Sequence, residues 1–472
     1  ETFTLGDEIA SVGNLTKFIS THPLQDALSF NARTASYNLK DYIINAKGVD
    51  EIAVADAIIY PDSGIVTVAK KAEIKTLHKA KILANNLTKY HTFTNAIIDI
   101  KSRTDYSASG DYTYKDVMNN EQYIFFNDIS VDEDTITTAR GDVDIDKPFK
   151  IGNKFDFKGS VKIVSEERDL TFNGYFMANH DCELLDKEWV KFNSYIDPEN
   201  IEFSLEDKIF NAADDLLSTG LVWSFDSTNF YSTFLSEKKR TAIDVDMLSA
   251  SRTLKYDANQ SAYIVGGTNA LEDSYALYDK TCTTKGEGVM DLHLNLGQIQ
   301  VKSVGNVTHY MKDVKTEIEG FLMLDFFFSK EAMEVMADDV FAYEEHLDKI
   351  EYDKNFANNY IRAVGEEERG KALLYQLEGG YYDEFPDEMK RPIVFAKTKL
   401  IWDNENRAYV AKGSIGIHSI LDQNVDYFVD GYIIIKKGQN VDVLTIYLDI
   451  DDVIYYFQYK NGVMSACSTN PY

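Results

Sequence analysis

The sequence contains few of the residues that mark linkers, metal sites or disulfide scaffolds. Among 472 residues there are seven prolines and three cysteines. So few prolines argue against a proline-rich linker. Cys182, Cys282 and Cys467 are far apart and form neither a Cys-x-x-Cys pair nor a zinc-ligand spacing. One disulfide is possible, but the sequence does not show which two of the three cysteines would form it.

Basic charge and long apolar runs are also scarce. Lysine and arginine total 48 against 77 acidic residues, a net charge of −29. Such a field repels nucleic acid and anionic lipid headgroups, and the short basic run 238–240 is interpreted as a solvated loop, so we expect no nucleic-acid partner. The longest apolar run, Gly320–Phe328, is short and interrupted by Asp325. We therefore expect no membrane-spanning helix.

Catalytic and metal-binding motifs are missing as well. There is no P-loop, Gly-x-Gly-x-x-Gly, Gly-x-Ser-x-Gly or His-Glu-x-x-His motif. In the segment 180–183, strand alternation would let at most His180 with Cys182, or Asp181 with Glu183, share a ligand. Asp142, Asp144 and Asp146 would line one strand edge without the loop that calcium needs. We expect no catalytic residue, no cofactor and no metal.

Aromatic residues and period-two alternation predict strands. The chain has 30 tyrosines and 27 phenylalanines, which suit pleated, half-buried surfaces. Apolar and polar residues alternate over 155–163 and again over 170–176, on either side of a charged turn, which predicts a hairpin. Between residues 42 and 99 an Ala-x-Ile phrase recurs around alanines 57, 72, 80 and 96. Such spacing fits either stacked rungs or a meander.

An internal repeat relates two distant segments. Leu254–Ile264 matches Leu400–Val410 at an offset of 146 positions. Each copy predicts a strand, a polar turn that begins with aspartate, and a returning strand. A weaker echo covers Phe225–Tyr231.

Helical signals are confined to the segment between these copies. Ser329 is a candidate N-cap, and two further helices are predicted to end before Gly365 and Gly379. The first forty residues mix a weak helical pattern over Leu5–Ser20 with strand signals. We predict a mainly β fold, either a β-solenoid or stacked antiparallel β-sheets with a small inserted helical segment. The regions are 1–150 (repetitive β), 151–328 (hairpin and sheet), 329–380 (helical insertion) and 381–472 (C-terminal β).

Aromatic residues in one loop are candidates for ligand contact. Tyr381, Tyr382 and Phe385 follow a glycine pair, where exposed rings can stack on sugars. The pairs Tyr112/Tyr114 and Tyr455/Tyr456 alternate on predicted strands and are interpreted as core.

Three stretches carry a family resemblance: 56–64 together with 85–91, 321–328, and 455–459. They resemble very long, largely uncharacterised envelope proteins of Bacteroidota-type bacteria. The resemblance implies secretion across the inner membrane, a periplasmic or outer-membrane location, and contact with other envelope proteins. It assigns no catalytic residue. The start at Glu1 fits a processed exported protein or a part of a longer one.

Three functions follow as hypotheses. The first is a non-enzymatic envelope scaffold or accessory subunit of a larger outer-membrane-associated assembly. The second is a β-groove that bridges lipid or lipopolysaccharide, suggested by the apolar face of the 155–176 hairpin. The third is a carbohydrate-binding or carbohydrate-active β-solenoid.

Overall fold

The computed structural model describes residues 2–5, 15–116, 118–143, 149–225, 229–237, 240–267 and 269–470. The chain is mainly β, as predicted. Consecutive strands of both large sheets pair antiparallel. Of the two predicted architectures, stacked antiparallel sheets are therefore the one observed.

The chain forms two compact units, Glu1–Asn179 with Trp189–Phe203, and His180–Glu188 with Ser204–Tyr472. The boundaries that the sequence suggested at 150 and 328 fall inside these units. The one near 150 followed a change of pattern, but a strand that crosses it, Phe149–Gly152, pairs with the strand that follows.

The described residues of the first unit form three sheets. A four-stranded sheet has the order β1-β4-β5-β8, and β2 pairs with β3. An eleven-stranded sheet runs β17-β16-β15-β13-β12-β11-β10-β9-β7-β6, with β14 beside β15. The strands are β1 (Thr2–Leu5), β2 (Thr16–Ile19), β3 (Ser29–Ala32), β4 (Thr34–Asn38), β5 (Ile43–Lys47), β6 (Ile52–Val54), β7 (Ala57–Tyr60), β8 (Ile65–Val68), β9 (Leu77–Leu83), β10 (Thr92–Ile100), β11 (Tyr106–Lys115), β12 (Glu121–Val131), β13 (Thr137–Val143), β14 (Phe149–Gly152), β15 (Phe155–Val164), β16 (Leu170–Ala178) and β17 (Val190–Ile196).

Two predictions for the N-terminal region have different outcomes. The Ala-x-Ile phrases belong to a meander: Ala80 on β9 lies opposite Ala96 on β10, and both are buried. The weak helical pattern is wrong for 16–19, which form β2, and residues 6–14 lie outside the described residues.

The 155–176 hairpin forms as predicted, as β15 and β16. Its register pairs Gly159 with Gly174, and both need glycine. A Cβ on Gly159 (φ +143°) would meet the carbonyl oxygen of Asn173 in the neighbouring strand. In the same register, Phe157 lies opposite Phe176.

On the inner face of the eleven-stranded sheet, side chains from strands that are not neighbours pack against each other. The ring of Tyr114 on β11 lies 6.0 Å from that of Phe172 on β16, and its hydroxyl donates to the carbonyl of Ile151 at 2.7 Å. Phe155, Phe157, Phe172 and Phe176 are fully buried. The apolar face of the hairpin is therefore filled, and it offers no open groove of the kind the lipid hypothesis required.

The second unit is built on a long meander in which β23 to β34 pair in chain order, beside a four-stranded sheet of β19 to β22. The strands are β18 (Glu202–Ser204, where the chain passes between the units), β19 (Ile209–Phe210), β20 (Leu216–Ser224), β21 (Asn229–Glu237), β22 (Val245–Ser249), β23 (Thr253–Asp257), β24 (Ala262–Gly266), β25 (Ser274–Tyr278), β26 (Thr283–Met290), β27 (Gln300–Tyr310), β28 (Lys315–Asp325), β29 (Arg391–Asp403), β30 (Ala408–Leu421), β31 (Gln423–Lys436), β32 (Val443–Ile450), β33 (Val453–Lys460) and β34 (Val463–Ser468).

Each of the two matched segments forms a hairpin, β23–β24 and β29–β30, whereas a repeat relationship between them stays a prediction. Asp257 Oδ1 accepts hydrogen bonds from the backbone N–H groups of Asn259 and Gln260 at 2.8 and 3.2 Å. Asp403 accepts in the same way from residues 405 and 406, at 3.0 Å each. The central residues 226–228 of the weaker echo lie outside the described residues.

Three helices are inserted between β28 and β29, which are neighbours in the sheet. They are α1 (Lys330–Ala342), α2 (Lys354–Val364) and α3 (Glu367–Glu378). Ser329 caps α1 by accepting from the N–H of Ala332 at 3.3 Å, and Gly365 (φ +86°) ends α2. The predicted helical insertion is therefore observed.

Candidate functional site: a polar face on the first unit

The three aromatic residues predicted to contact a ligand are placed unequally. Tyr381 is 59% exposed. Tyr382 and Phe385 are partly buried against the core below α2, with ring centroids 5.3 Å apart. The Tyr382 hydroxyl lies 2.9 Å from that of Tyr360, and burial raises the pKa of both, to about 12 for Tyr360. Ligand contact at these residues stays a prediction, with only the Tyr381 ring largely open to solvent.

Beside them lies a buried histidine, His418, for which no sequence pattern predicted a role. His418 Nδ1 lies 2.6 Å from Asp426 Oδ1, and the Tyr352 hydroxyl donates to the other carboxylate oxygen at 2.6 Å. The rings of Phe321 and Phe356 pack edge-on against the imidazole. The cavity lined by Phe321 and Phe356 measures about 10 Å³, less than a substrate needs, and both rings belong to the buried core.

The segments considered for metal binding are arranged otherwise. Cys182 forms a disulfide with Cys282, with a Cα–Cα distance of 5.2 Å, while Cys467 is free and exposed. Asp142 is exposed on β13, whereas residues 144 and 146 lie outside the described residues. Across the described part of the chain, no group of three or more His, Cys, Asp or Glu residues is placed to hold a metal ion.

A better candidate site lies on the outward face of five neighbouring strands, β12, β13, β15, β16 and β17. This surface carries a depression of about 500 Å³ with mostly polar side chains. We call it the polar face. Its lining residues are Asp128, Ser130, Thr138, Ala139, Arg140, Ser160, Lys162, Thr171, Asn173, Asn193 and Tyr195.

Strand register aligns these side chains in two rows across the sheet. One row consists of directly opposed residues in the order Asp128, Arg140, Lys162, Thr171 and Tyr195. In the second row, Ser160 lies opposite Asn173, which lies opposite Asn193. Directly opposed residues have Cβ atoms about 5 Å apart. Each row therefore presents a continuous line of polar groups.

The centre of the face carries two like charges. Arg140 and Lys162 are exposed and directly opposed, an arrangement that costs stability when no anion intervenes. Neither side chain forms an ion pair or hydrogen bond with a described residue. This concentration of positive charge is unusual in a chain of net charge −29.

Aromatic rings flank the basic centre. Tyr195, at the end of the charged row, is 59% exposed. On the same side of β15 as Lys162, the ammonium of Lys158 lies 4.3 Å from the ring of Trp189 and 5.3 Å from that of Tyr175. Lys158 therefore already has aromatic partners, which distinguishes it from Lys162.

The chemistry of the polar face suits an anionic sugar chain. Asparagine, serine and threonine side chains both donate and accept hydrogen bonds, as sugar hydroxyls require. The guanidinium of Arg140 can grip a carboxylate with two parallel hydrogen bonds. The ring of Tyr195 offers an apolar platform. Because the side chains stand on paired strands, little ordering is needed when a ligand binds.

No family model, curated protein or solved structure matches the chain.

Sequence reasoning missed the polar face for a definite reason. The polar half of each alternating strand is visible in the sequence, for example at Ser160 and Lys162. The juxtaposition of Arg140 with Lys162 depends on register, including a β-bulge between Phe126 and Asp128. Finding the polar face would have required knowing which strands pair and in which register.

The search for membrane-spanning helices gives a negative result: none of the described helices combines the length and hydropathy needed to cross a bilayer.

Proposed function

We propose that the chain is a non-catalytic, glycan-binding accessory subunit of a larger envelope assembly, and that the polar face binds an acidic polysaccharide. The observation that carries this proposal is the opposed, unpaired pair Arg140 and Lys162 at the centre of two polar rows. A uronate carboxylate between them would offset their repulsion, while neighbouring sugar hydroxyls would pair with the asparagines.

The disulfide supports an extracytoplasmic location, in the periplasm or at the cell surface. Cys182 and Cys282 are both buried and are bonded to each other. Disulfides persist mainly in oxidising compartments such as the periplasm and the cell exterior. We therefore infer that the chain is secreted across the inner membrane. In the periplasm or at the cell surface it would have access to acidic polysaccharides.

Calorimetric titration with soluble polygalacturonate, and with neutral dextran as the comparison, tests the proposal. Wild type is expected to bind polygalacturonate and not dextran. Arg140→Glu and Lys162→Glu are each expected to weaken binding by about tenfold, which is about 1.4 kcal/mol. Lys81→Glu is the matched control, because Lys81 is an exposed lysine of the same sheet, on β9, outside the polar face.

Salt separates the charged contribution from the stacking contribution. The loss of affinity for polygalacturonate caused by Arg140→Glu should be smaller at high ionic strength, because ions screen exposed charges. The loss caused by Tyr195→Ala should persist, since stacking on a ring does not depend on salt in this way. Equal binding of dextran and polygalacturonate by wild type would refute the proposal. So would affinities of Arg140→Glu, Lys162→Glu and Tyr195→Ala for polygalacturonate that all equal the wild-type affinity.

A scaffold role is a second candidate, favoured by the last strand of the long meander. β34 pairs with β33 and ends the described sheet, and most of its side chains are exposed. Free strand edges pair readily with other chains. In pull-down from membrane extract, Ala466→Pro is expected to reduce recovery of envelope proteins, because proline cannot complete a strand ladder. Recovery of no envelope protein by wild type would count against this role.

A further inference from the structure

A second cavity, which shares no lining residue with the polar face, lies near the start of the first unit. It measures about 480 Å³, is partly open to solvent, and is bordered by the β2–β3 hairpin, the β4-β5-β8 strands and the turn Lys70–Ala72. This volume lies in the range typical of sites for one small molecule, about 300–1,000 Å³. Its lining is mainly apolar, in contrast to the polar face.

The body of the cavity is built from aromatic and aliphatic side chains. The rings of Phe18 and Phe30 stack with centroids 5.3 Å apart. Leu28 and Ile74 are buried, and Ile44 is half-buried at the cavity wall. An apolar chain placed here would leave water, and each methylene group that it buries would strengthen binding.

One polar group in the lining lacks a partner. Gln25 is only 6% exposed. Its side-chain nitrogen donates to the carbonyl of Ala72 at 2.8 Å, which fixes the orientation of the amide. Its carbonyl oxygen Oε1 is buried and accepts no hydrogen bond from the described residues. A buried acceptor without a hydrogen-bond partner destabilises the fold, and a ligand O–H group would offset that cost.

Part of the cavity lining is basic. Lys70 and Lys71 are exposed residues of the lining, and the ammonium of Lys70 lies 5.3 Å from the centroid of the Tyr42 ring. Lys71 forms no ion pair with a described residue. Because Ala72 follows directly and binds Gln25, the positive charges and the orphaned acceptor lie close together.

We propose that this cavity binds one single-chain anionic amphiphile with a hydroxyl group near its head, that is, a hydroxylated fatty acid. The alkyl chain lies against Phe18 and Phe30, the hydroxyl donates to Gln25 Oε1, and the carboxylate meets Lys70 and Lys71. This site is independent of the polysaccharide site, so either assignment can fail without the other.

Fluorescence displacement with a hydroxylated fatty acid, the plain fatty acid of equal length and the matching alkyl trimethylammonium ion tests the proposal. Wild type is expected to prefer the hydroxylated acid to the plain acid by about tenfold, the worth of one buried hydrogen bond. The cationic amphiphile is expected to bind more weakly than either acid.

Three variants assign the contributions. The double variant Lys70→Glu/Lys71→Glu should weaken binding of both fatty acids by about tenfold. It should also remove the preference for these acids over the cationic amphiphile. Gln25→Leu should abolish the preference for the hydroxylated acid over the plain acid. A general destabilisation of the fold would lower both affinities and leave their ratio unchanged. Ala35→Phe should fill the cavity floor and abolish binding of all three, whereas Lys47→Glu, outside the cavity, should match wild type.

Several results would overturn the proposal. They are binding of none of the three probes, equal binding of both acids by wild type, an unchanged preference in Gln25→Leu, and association with anionic vesicles without binding of the free acid. The last result would indicate a membrane-docking surface in place of a cavity ligand.

Discussion

The disulfide of the second unit allows a quantitative prediction about stability. Cys182 and Cys282 close a loop of 100 residues. In the chain-entropy model a cross-link over that length stabilises the folded state by about 4.7 kcal/mol, chiefly by restricting the unfolded chain. Replacing both by serine is therefore expected to lower the free energy of unfolding of this unit by about 3–5 kcal/mol.

Urea unfolding followed by tryptophan fluorescence measures the change. Trp223 and Trp402 pack with ring centroids 4.7 Å apart inside the second unit and report on it. Cys467→Ser is the matched control, because Cys467 is exposed and free, and its midpoint should equal that of wild type. Wild type under reductant should match the double variant. If removing the cross-link left the midpoint unchanged under both conditions, the reasoning would be refuted.

Further predictions concern the glycine pair, the aspartate turns and a buried histidine. Gly159→Ala should destabilise by about 3 kcal/mol in urea unfolding, since its Cβ would lie 2.4 Å from the Asn173 carbonyl oxygen. Gly462→Ala, at φ +81° with open space around it, should cost only about 1 kcal/mol; equal costs would contradict this account. Hydrogen bonds from Asn406 lower the pKa of Asp403 in the folded chain. The ionised carboxylate therefore stabilises the fold fully at pH values above the pKa of the unfolded chain. This stabilisation is lost as the pH falls through the lower pKa of the folded chain. Asp403→Asn should flatten the acid limb of a stability–pH curve, and an unaltered limb would count against it. Burial lowers the pKa of His309 from 6.5 to about 4, so between these values the unfolded chain binds more protons, and stability should fall by about 3 kcal/mol as pH drops across that window. His309→Gln should lack this loss, and an identical pH profile in the variant would disprove the assignment.

Local pattern predicted the hairpins and helix ends well, because those features depend on neighbours in sequence. The turn at Asp403 needs only an aspartate followed by free N–H groups, and the cap at Ser329 needs only a serine before a helical run. The 155–176 alternation predicted its hairpin, but not its register. Register there is set by the close approach of Gly159 and Gly174.

Features that depend on distant parts of the chain were not predictable in this way. The pairing of Cys182 with Cys282, and the contact of His418 with Asp426 inside an aromatic cluster, follow from tertiary packing. The polar face follows from cross-strand register, which places Arg140 beside Lys162. Tyr382 looked exposed because it follows a glycine pair, but the helical insertion partly buries it.

Amine-acylation footprinting by mass spectrometry tests the central claim most directly. With saturating polygalacturonate, Lys162 should become protected from acylation, whereas Lys81, on the same sheet but outside the polar face, should react at its original rate. Unchanged reactivity of Lys162, or equal protection of both lysines, would contradict an acidic-polysaccharide site on this face.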